Sequence, residues 1–315
     1  MSDVTIYRNN LKTSPVKNGH IRREDLFNHC NEKLIIGGGW GFPKGKEPKN
    51  YQDAINIAKE EFPKDTGCKK LINALSEMKE NDLVWTRCGG NYYLCRVKSG
   101  WEYCSSEQAN EFDMHQIAKV YDYVKIGAED KIPTKVLNSF RSPLTLQKID
   151  SDIICKLSKH LYNKNKKTNE YIYKDARNFE IGEETFFEFV HPKEMECLVA
   201  LYLQKEKGYL LYSDTNRKST PVYEYVLVKE DEDNHLAYVQ VKTGDESLDA
   251  TKTDYKELTK NKQDKVYLFT VDGSHYGEVE GKQNNIFFIS KKEIVEFVYK
   301  YPRIIPEKIR DWLKK

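Results

Sequence analysis

EYVLVKEDEDNHLAYVQVK, residues 224–242, is the stretch from which the rest of the chain is read. Val222 to Val228 is β-branched and aromatic throughout, so it predicts a strand buried on at least one face, with Glu224 as its only ionisable group besides tyrosines. A carboxylate in that setting is costly unless it is paired or holds a metal. Glu230 to Asn234 reads as a polar turn, and His235 to Val241 returns as a second apolar strand. Gln240 and Lys242 are two apart, so they project from one face while Val239 and Val241 project from the other. Adjacent strands then bring Glu224, Gln240 and Lys242 within reach of one another.

The flanks extend the pattern. Glu194 and Glu196 open an apolar helical run (ECLVALYLQKEKGY from Glu196) with a stop signal at Gly208. Pro192 is accepted in the first turn of that helix. Lys265 to Thr270 (KVYLFT) predicts a further strand, Asn284 to Ser290 an edge strand, and Lys291 to Tyr299 a closing helix. Between them, Gly244 to Lys260 is hydrophilic and predicts a loop with a short helix beside the site.

The order helix, strand, strand, strand, helix, with an acid followed by a QxK, resembles the PD-(D/E)xK nuclease superfamily, and more closely its Mrr-like branch. The resemblance implies a restriction-endonuclease-like α/β domain with a central mixed sheet and a catalytic set of Glu196, Glu224, Gln240 and Lys242. It implies Mg²⁺ (or Mn²⁺) held at Glu224 and Gln240, since such ions take hard oxygen ligands and keep several waters. The ion would polarise a scissile phosphate and Lys242 would position or activate the attacking water. The family usually has Asp at the first position, whereas this chain has Glu224, one methylene longer. The ordinary alternative is that an acid and a QxK meet by chance and that Lys242 is a plain strand-end residue.

Composition fits a soluble globular chain long enough for two domains: 315 residues, 39% hydrophobic and 32% charged. The net charge of +2 gives no bulk argument for nucleic acid, so any basic surface must be local. Seven cysteines include no CxxC pair, and the opening MSDVTIYRNN lacks the form of a secretory leader. Reduced thiols and a cytoplasmic location are therefore expected, with no membrane partner. Cys88, Cys95 and Cys104 match no zinc spacing and are expected to be packed thiols.

Met1 to Lys33 is polar with little periodicity and is expected to wrap a domain edge. Leu34 to Phe42 (LIIGGGWGF) predicts a strand running into glycines that set Trp40 at its end. Asn50 to Glu80 predicts two helices split near Pro63 and Gly67. Strands at 82–87 and 92–97 flank a Gly89-Gly90-Asn91 hairpin turn, and a third short strand, Trp101 to Cys104, is expected after a Ser99-Gly100 turn. Ile117 to Val124 predicts another strand, Val136 to Phe140 a short helix, and Thr145 to Tyr162 an amphipathic helix. The strand-GGW opening and the YYL-type hairpin resemble the PUA-like β-barrels, particularly the EVE and YTH-type members. Those domains stack single or flipped bases in an aromatic pocket. The resemblance makes Trp40, Trp85, Tyr93 and Trp101 the candidate base-binding residues, against the ordinary alternative that such rings are core.

The lysine- and asparagine-rich stretch from Asn163 to Lys174 reads as a boundary. The expected architecture is α+β: a PUA-like β-barrel at 1–150 and an Mrr-like nuclease domain at 175–315. A reader joined to a cutter implies a modification-dependent restriction or phage-defence endonuclease acting on nucleic acid, DNA before RNA, as a homodimer or with a partner encoded nearby. The alternatives are a binding or regulatory protein with a degenerate nuclease core, and a repair or RNA-processing nuclease indifferent to modification.

Overall fold

The hairpin at Gly89-Gly90 lies at the centre of a six-stranded sheet in a computed structural model of the chain. The residues described are 4–12, 21–166, 172–176, 182–212, 222–229, 235–243, 246–271, 273–277, 285–305 and 309–310. The expected turn at 230–234 lies outside them. Two compact units divide the chain, Met1–Phe179 and Glu180–Lys315.

The first unit runs β1 (Ile6–Asn9), α1 (Arg23–Lys33), β2 (Ile35–Gly38), α2 (Tyr51–Glu61), α3 (Thr66–Ser76), β3 (Leu83–Cys88), β4 (Asn91–Tyr103), α4 (Glu107–Phe112), β5 (Gln116–Ala128), α5 (Thr134–Ser139), β6 (Leu146–Lys148) and α6 (Asp152–Asn165). The sheet order is β2-β5-β4-β3-β1-β6, with only β1 and β3 parallel. The sheet curls: Asn9 on β1 donates from Nδ2 to the Gly37 carbonyl on β2 at 2.9 Å, and the Gly37 N–H donates back to Asn9 Oδ1 at 3.0 Å. A side chain, not a strand ladder, therefore links the two. Gly37 has φ +145°, and a Cβ there would collide with the Gln116 carbonyl, so only glycine fits.

Three expectations are corrected here. Ile6–Asn9 of the polar N-terminus do not wrap an edge: β1 is buried between β3 and β6, because Arg8 and Asn9 satisfy their polar groups internally. No turn falls at Ser99-Gly100: β4 runs on to Tyr103 and absorbs the irregularity as bulges against β5. The expected helix from Thr145 begins only at Asp152, capped by Ser151, and β6 precedes it. Helix α6 belongs to the first unit, so that unit continues well past residue 150. Trp85 Nε1 donates to Ser158 Oγ at 2.9 Å, Tyr162 donates to Asp122, and Arg96 Nε donates to Tyr162 at 3.1 Å.

The second unit runs α7 (Glu183–Phe186), α8 (Pro192–Lys207), β7 (Tyr209–Leu211), β8 (Tyr225–Lys229), β9 (Leu236–Lys242), β10 (Leu248–Asp249), α9 (Thr253–Leu258), β11 (Lys265–Thr270), β12 (His275–Tyr276), β13 (Ile286–Phe288) and α10 (Lys291–Lys300). Its five-stranded mixed sheet has the order β13-β11-β9-β8-β7. Strands β9, β11 and β13 are parallel, while β7, β8 and β9 are antiparallel. Helix α8 starts at His191-Pro192 and stops at Gly208, whose φ of +74° is the left-handed cap that glycine allows. Tyr202 donates to Glu293 at 2.7 Å and thereby ties α8 to α10.

Candidate active site

Glu224 lies one residue before β8 rather than inside it, but its backbone N–H donates to the Val239 carbonyl at 2.7 Å, so the pairing with β9 continues through it. That register sets Glu224 beside Gln240. Gln240 is 1% exposed, and its Nε2 donates to Glu224 Oε1 at 3.0 Å. Two residues on, on the same face, Lys242 Nζ stands 3.9 Å from Glu224 Oε1 and 3.4 Å from Glu246 Oε2. Both Lys242 and Glu224 are partly exposed, so the buried amide sits beneath a charge pair open to solvent.

Helix α8 adds the second acid. The Tyr225 hydroxyl donates to the Glu196 carbonyl at 3.1 Å, which fixes this turn of the helix against the start of β8. Burial holds the Glu196 carboxyl above the ordinary carboxylate range, and the neighbouring Glu224 charge raises it further against the pull of Lys193 and Lys242. Burial, followed by the Glu196 carboxylate, also pushes the Tyr225 hydroxyl well up. Of the four residues singled out from the sequence, Glu224, Gln240 and Lys242 meet at the entrance to β8 and on β9, and Glu196 on α8 stands near enough for its charge to act on Glu224. The arrangement offers hard oxygen donors, a neutral amide and one ammonium. Glu246, exposed and four residues beyond the end of β9, is the member that sequence reasoning missed; its only sequence signal is that spacing from Lys242.

The aromatic candidates of the first unit separate. Trp85 is fully buried with its indole N–H satisfied by Ser158, so it is a core residue, and its expected place in a pocket is corrected. Tyr93 packs on Phe27 at 4.6 Å, in a different cluster from the tryptophans. Trp40 and Trp101 are half-buried and share the buried Gln116: its Nε2 donates to the Trp40 carbonyl at 3.0 Å, and Trp101 Nε1 donates to its Oε1 at 2.8 Å. Trp40 Nε1 donates to Asp65 at 2.9 Å, and its φ of +61° is strained for a tryptophan. The flanking Gly39 and Gly41 leave room for Asp113 and His115, which a Cβ at either position would strike. Phe42, Tyr103 and His115 continue the aromatic surface as a stack, at 5.2 Å and then 6.0 Å between rings.

All seven cysteines are free thiols, and no group of three or more His, Cys, Asp or Glu placed to hold a metal occurs among the described residues. No helix there is long and apolar enough to cross a membrane.

No protein-family model matches the chain, and no curated protein matches it. Among solved structures it is similar to the MspJI restriction endonuclease in complex with a 27-mer oligonucleotide, at 8% identity and TM-score 0.28 over 98% of this chain and 78% of that one. It is also similar to the DNA modification-dependent restriction endonuclease AspBHI, at 9% identity and TM-score 0.22 over 90% of this chain and 79% of that one. Both scores lie below the level that marks a shared fold.

Proposed function

We propose that the second unit is a metal-dependent phosphodiesterase of the PD-(D/E)xK, Mrr-like kind, and that the chain is a modification-dependent restriction or phage-defence DNase. The observation that carries this is the direct contact of Gln240 and Lys242 with the Glu224 carboxylate at a half-exposed spot, with the Glu196 charge of α8 within reach of Glu224. A structural ion pair needs one acid and one lysine; this site adds a second acid that repels the first.

That repulsion is what a divalent cation would relieve, and two carboxylates supply the hard oxygens that Mg²⁺ or Mn²⁺ prefers. Glu224 and Glu196 would hold the ion, with Gln240 as a neutral and weaker ligand once its amide presents Oε1 in place of Nε2. When bound, the ion supplies Lewis-acid polarisation of the phosphate and a lowered pKa for its water. Gln240 orients the Glu224 carboxylate, and Glu224 and Glu246 hold the Lys242 ammonium where it can orient the attacking water and take up developing negative charge.

In the first unit, a PUA-like reader would present Trp40 and Trp101 to a flipped or modified base, with Trp85 as part of its core. Indoles already pinned by Asp65 and Gln116 lose little freedom on binding. The deciding experiment incubates the full chain with modified and unmodified plasmid, with Mg²⁺ or Mn²⁺ and with chelator. Cutting that requires both the ion and the modification is expected; cutting in excess chelator would remove the metal from the mechanism.

A further inference from the structure

Arg8, Lys12, Arg23 and Arg87 come together in the first unit with no carboxylate partner among the described residues. Arg8 is buried and spends its guanidinium on the carbonyls of Ser139, Ser142 and Leu144 and on Gln147. Lys12 donates to the Pro143 carbonyl, and Arg23 Nη2 donates to Asn10 Oδ1 at 2.7 Å. Burial first, and then the charge of Arg87, lowers the pKa of both Arg8 and Arg23; Lys12 is lowered by burial and then by Arg8 and Arg23. The four cations therefore lie close enough to repel one another, and no carboxylate pairs with them among the described residues.

Arg87 is the least satisfied of the four. Its guanidinium lies over the Phe140 ring, 4.9 Å from the centroid. Its Nη1 is 3.4 Å from the Tyr92 hydroxyl, and its buried Nε has no hydrogen-bond partner. It faces a cavity of about 290 Å³ lined by Arg23, Arg87, Gly89, Gly90, Tyr92 and Glu129 among others. The turn residues Gly89 and Gly90, at φ +55° and +75°, bring bare backbone to this cavity. Glu129 is exposed and pairs with neither arginine.

We propose that this cavity is a phosphate site, with Arg87 and Arg23 as its ligands and the backbone phosphate of a nucleic acid as its occupant. Guanidinium forks match phosphate geometry bidentately, and an arginine held by stacking keeps its N–H edge free to do so. A cluster of like charges opposes folding until an anion fills it. The site stands on the first unit alone and does not depend on the nuclease reading of the second.

The test uses the full chain and the Arg23→Gln, Arg87→Gln and Arg87→Lys variants. Thermal melts in inorganic phosphate and in chloride at matched ionic strength read the site directly, and oligonucleotide anisotropy across a salt series reads its source. In the unsubstituted protein, phosphate should raise the melting temperature above chloride, and the rise should vanish in Arg23→Gln. For nucleic acid, the slope of log affinity against log salt should fall by about one for each arginine removed, equally for modified and unmodified oligonucleotides. Arg87→Lys should keep the slope and lose affinity, since a point charge replaces a fork. Loss of the phosphate effect with an unchanged slope would keep the phosphate site but make its occupant a free phosphate group. Equal melting in phosphate and chloride, with an unchanged slope in a folded Arg23→Gln, would overturn the proposal. Arg23 is exposed as a residue, with only its guanidinium end partly covered beside Asn10, so its variant decides even where Arg87→Gln does not fold. Whether plasmid is cut in Mg²⁺ is a separate readout, so a failure of this site is distinguishable from a failure of the nuclease reading.

Discussion

Lys242 and Glu196 make opposite demands on the site, and each can be tested singly. Lys242 contributes a cation to a partly exposed cluster, so Lys242→Ala should leave the unit folded and lower cutting by at least about 100-fold, the usual scale for a lost proton-handling group. Oligonucleotide binding by that variant should be almost unchanged; loss of both together would give Lys242 a structural or substrate-binding role. Glu196 sits above the ordinary carboxylate value of 4.5 in the folded chain, through burial and the Glu224 charge. The folded state then holds its proton more tightly than the unfolded state, so this group weakens stability as pH rises from about 4.5 through its raised value. Glu196→Gln should therefore melt higher than the unsubstituted protein at pH 7 to 8, and the difference should close below pH 4.5. The same variant should need more Mg²⁺ to cut, which a purely structural acid would not produce. Gln240→Glu adds a carboxylate at a buried position beside Glu224; it should lower the melting temperature without ions, recover it in Mg²⁺ and tighten ion binding by calorimetry.

At the scale of elements, α6 and the loop carrying Trp40 do different work. Helix α6 covers the sheet through Trp85, and replacing that ring by alanine removes a large buried side chain, which costs about 3–5 kcal/mol. Trp85→Ala should melt far lower than the unsubstituted protein, and a fragment ending at residue 150, which lacks α6, should fail to fold where one ending at 179 succeeds. Trp40 and Trp101 are half-buried, and a base stacked on an aromatic is worth roughly 1 to 3 kcal/mol. Trp40→Ala or Trp101→Ala variants that stay folded should bind modified oligonucleotide roughly 5- to 150-fold more weakly. Equal binding by a folded variant would return that ring to the core, beside Trp85.

At the scale of the whole molecule, the proposal joins selection in one unit to hydrolysis in the other. A Trp40→Ala protein should then lose preference for modified plasmid while its second unit keeps the intact Glu196, Glu224, Gln240 and Lys242 cluster. A Lys242→Ala protein should show the converse: selective binding without cutting. If both variants lose selectivity and cutting together, the two functions are not separable and the division of labour is wrong.

Most elements of both units are legible in the sequence, because their signals are local: β-branched and aromatic runs for β8, β9 and β11, a proline start and a glycine stop for α8, two positive-φ glycines for the β3–β4 hairpin. It also brought out the acid, amide and lysine, since a hairpin register needs only strand period and turn position. Which aromatic rings are core is settled by packing between distant elements. Trp85, Trp40 and Trp101 look alike in sequence, and their burial depends on α6 and α3 arriving from elsewhere. Burial of β1 was illegible for the same reason: Arg8 and Asn9 read as surface residues until distant carbonyls satisfy them. The cation cluster of Arg8, Lys12, Arg23 and Arg87 spans some eighty positions of chain, and no local pattern encodes a charge whose neighbours are set by how a sheet curls.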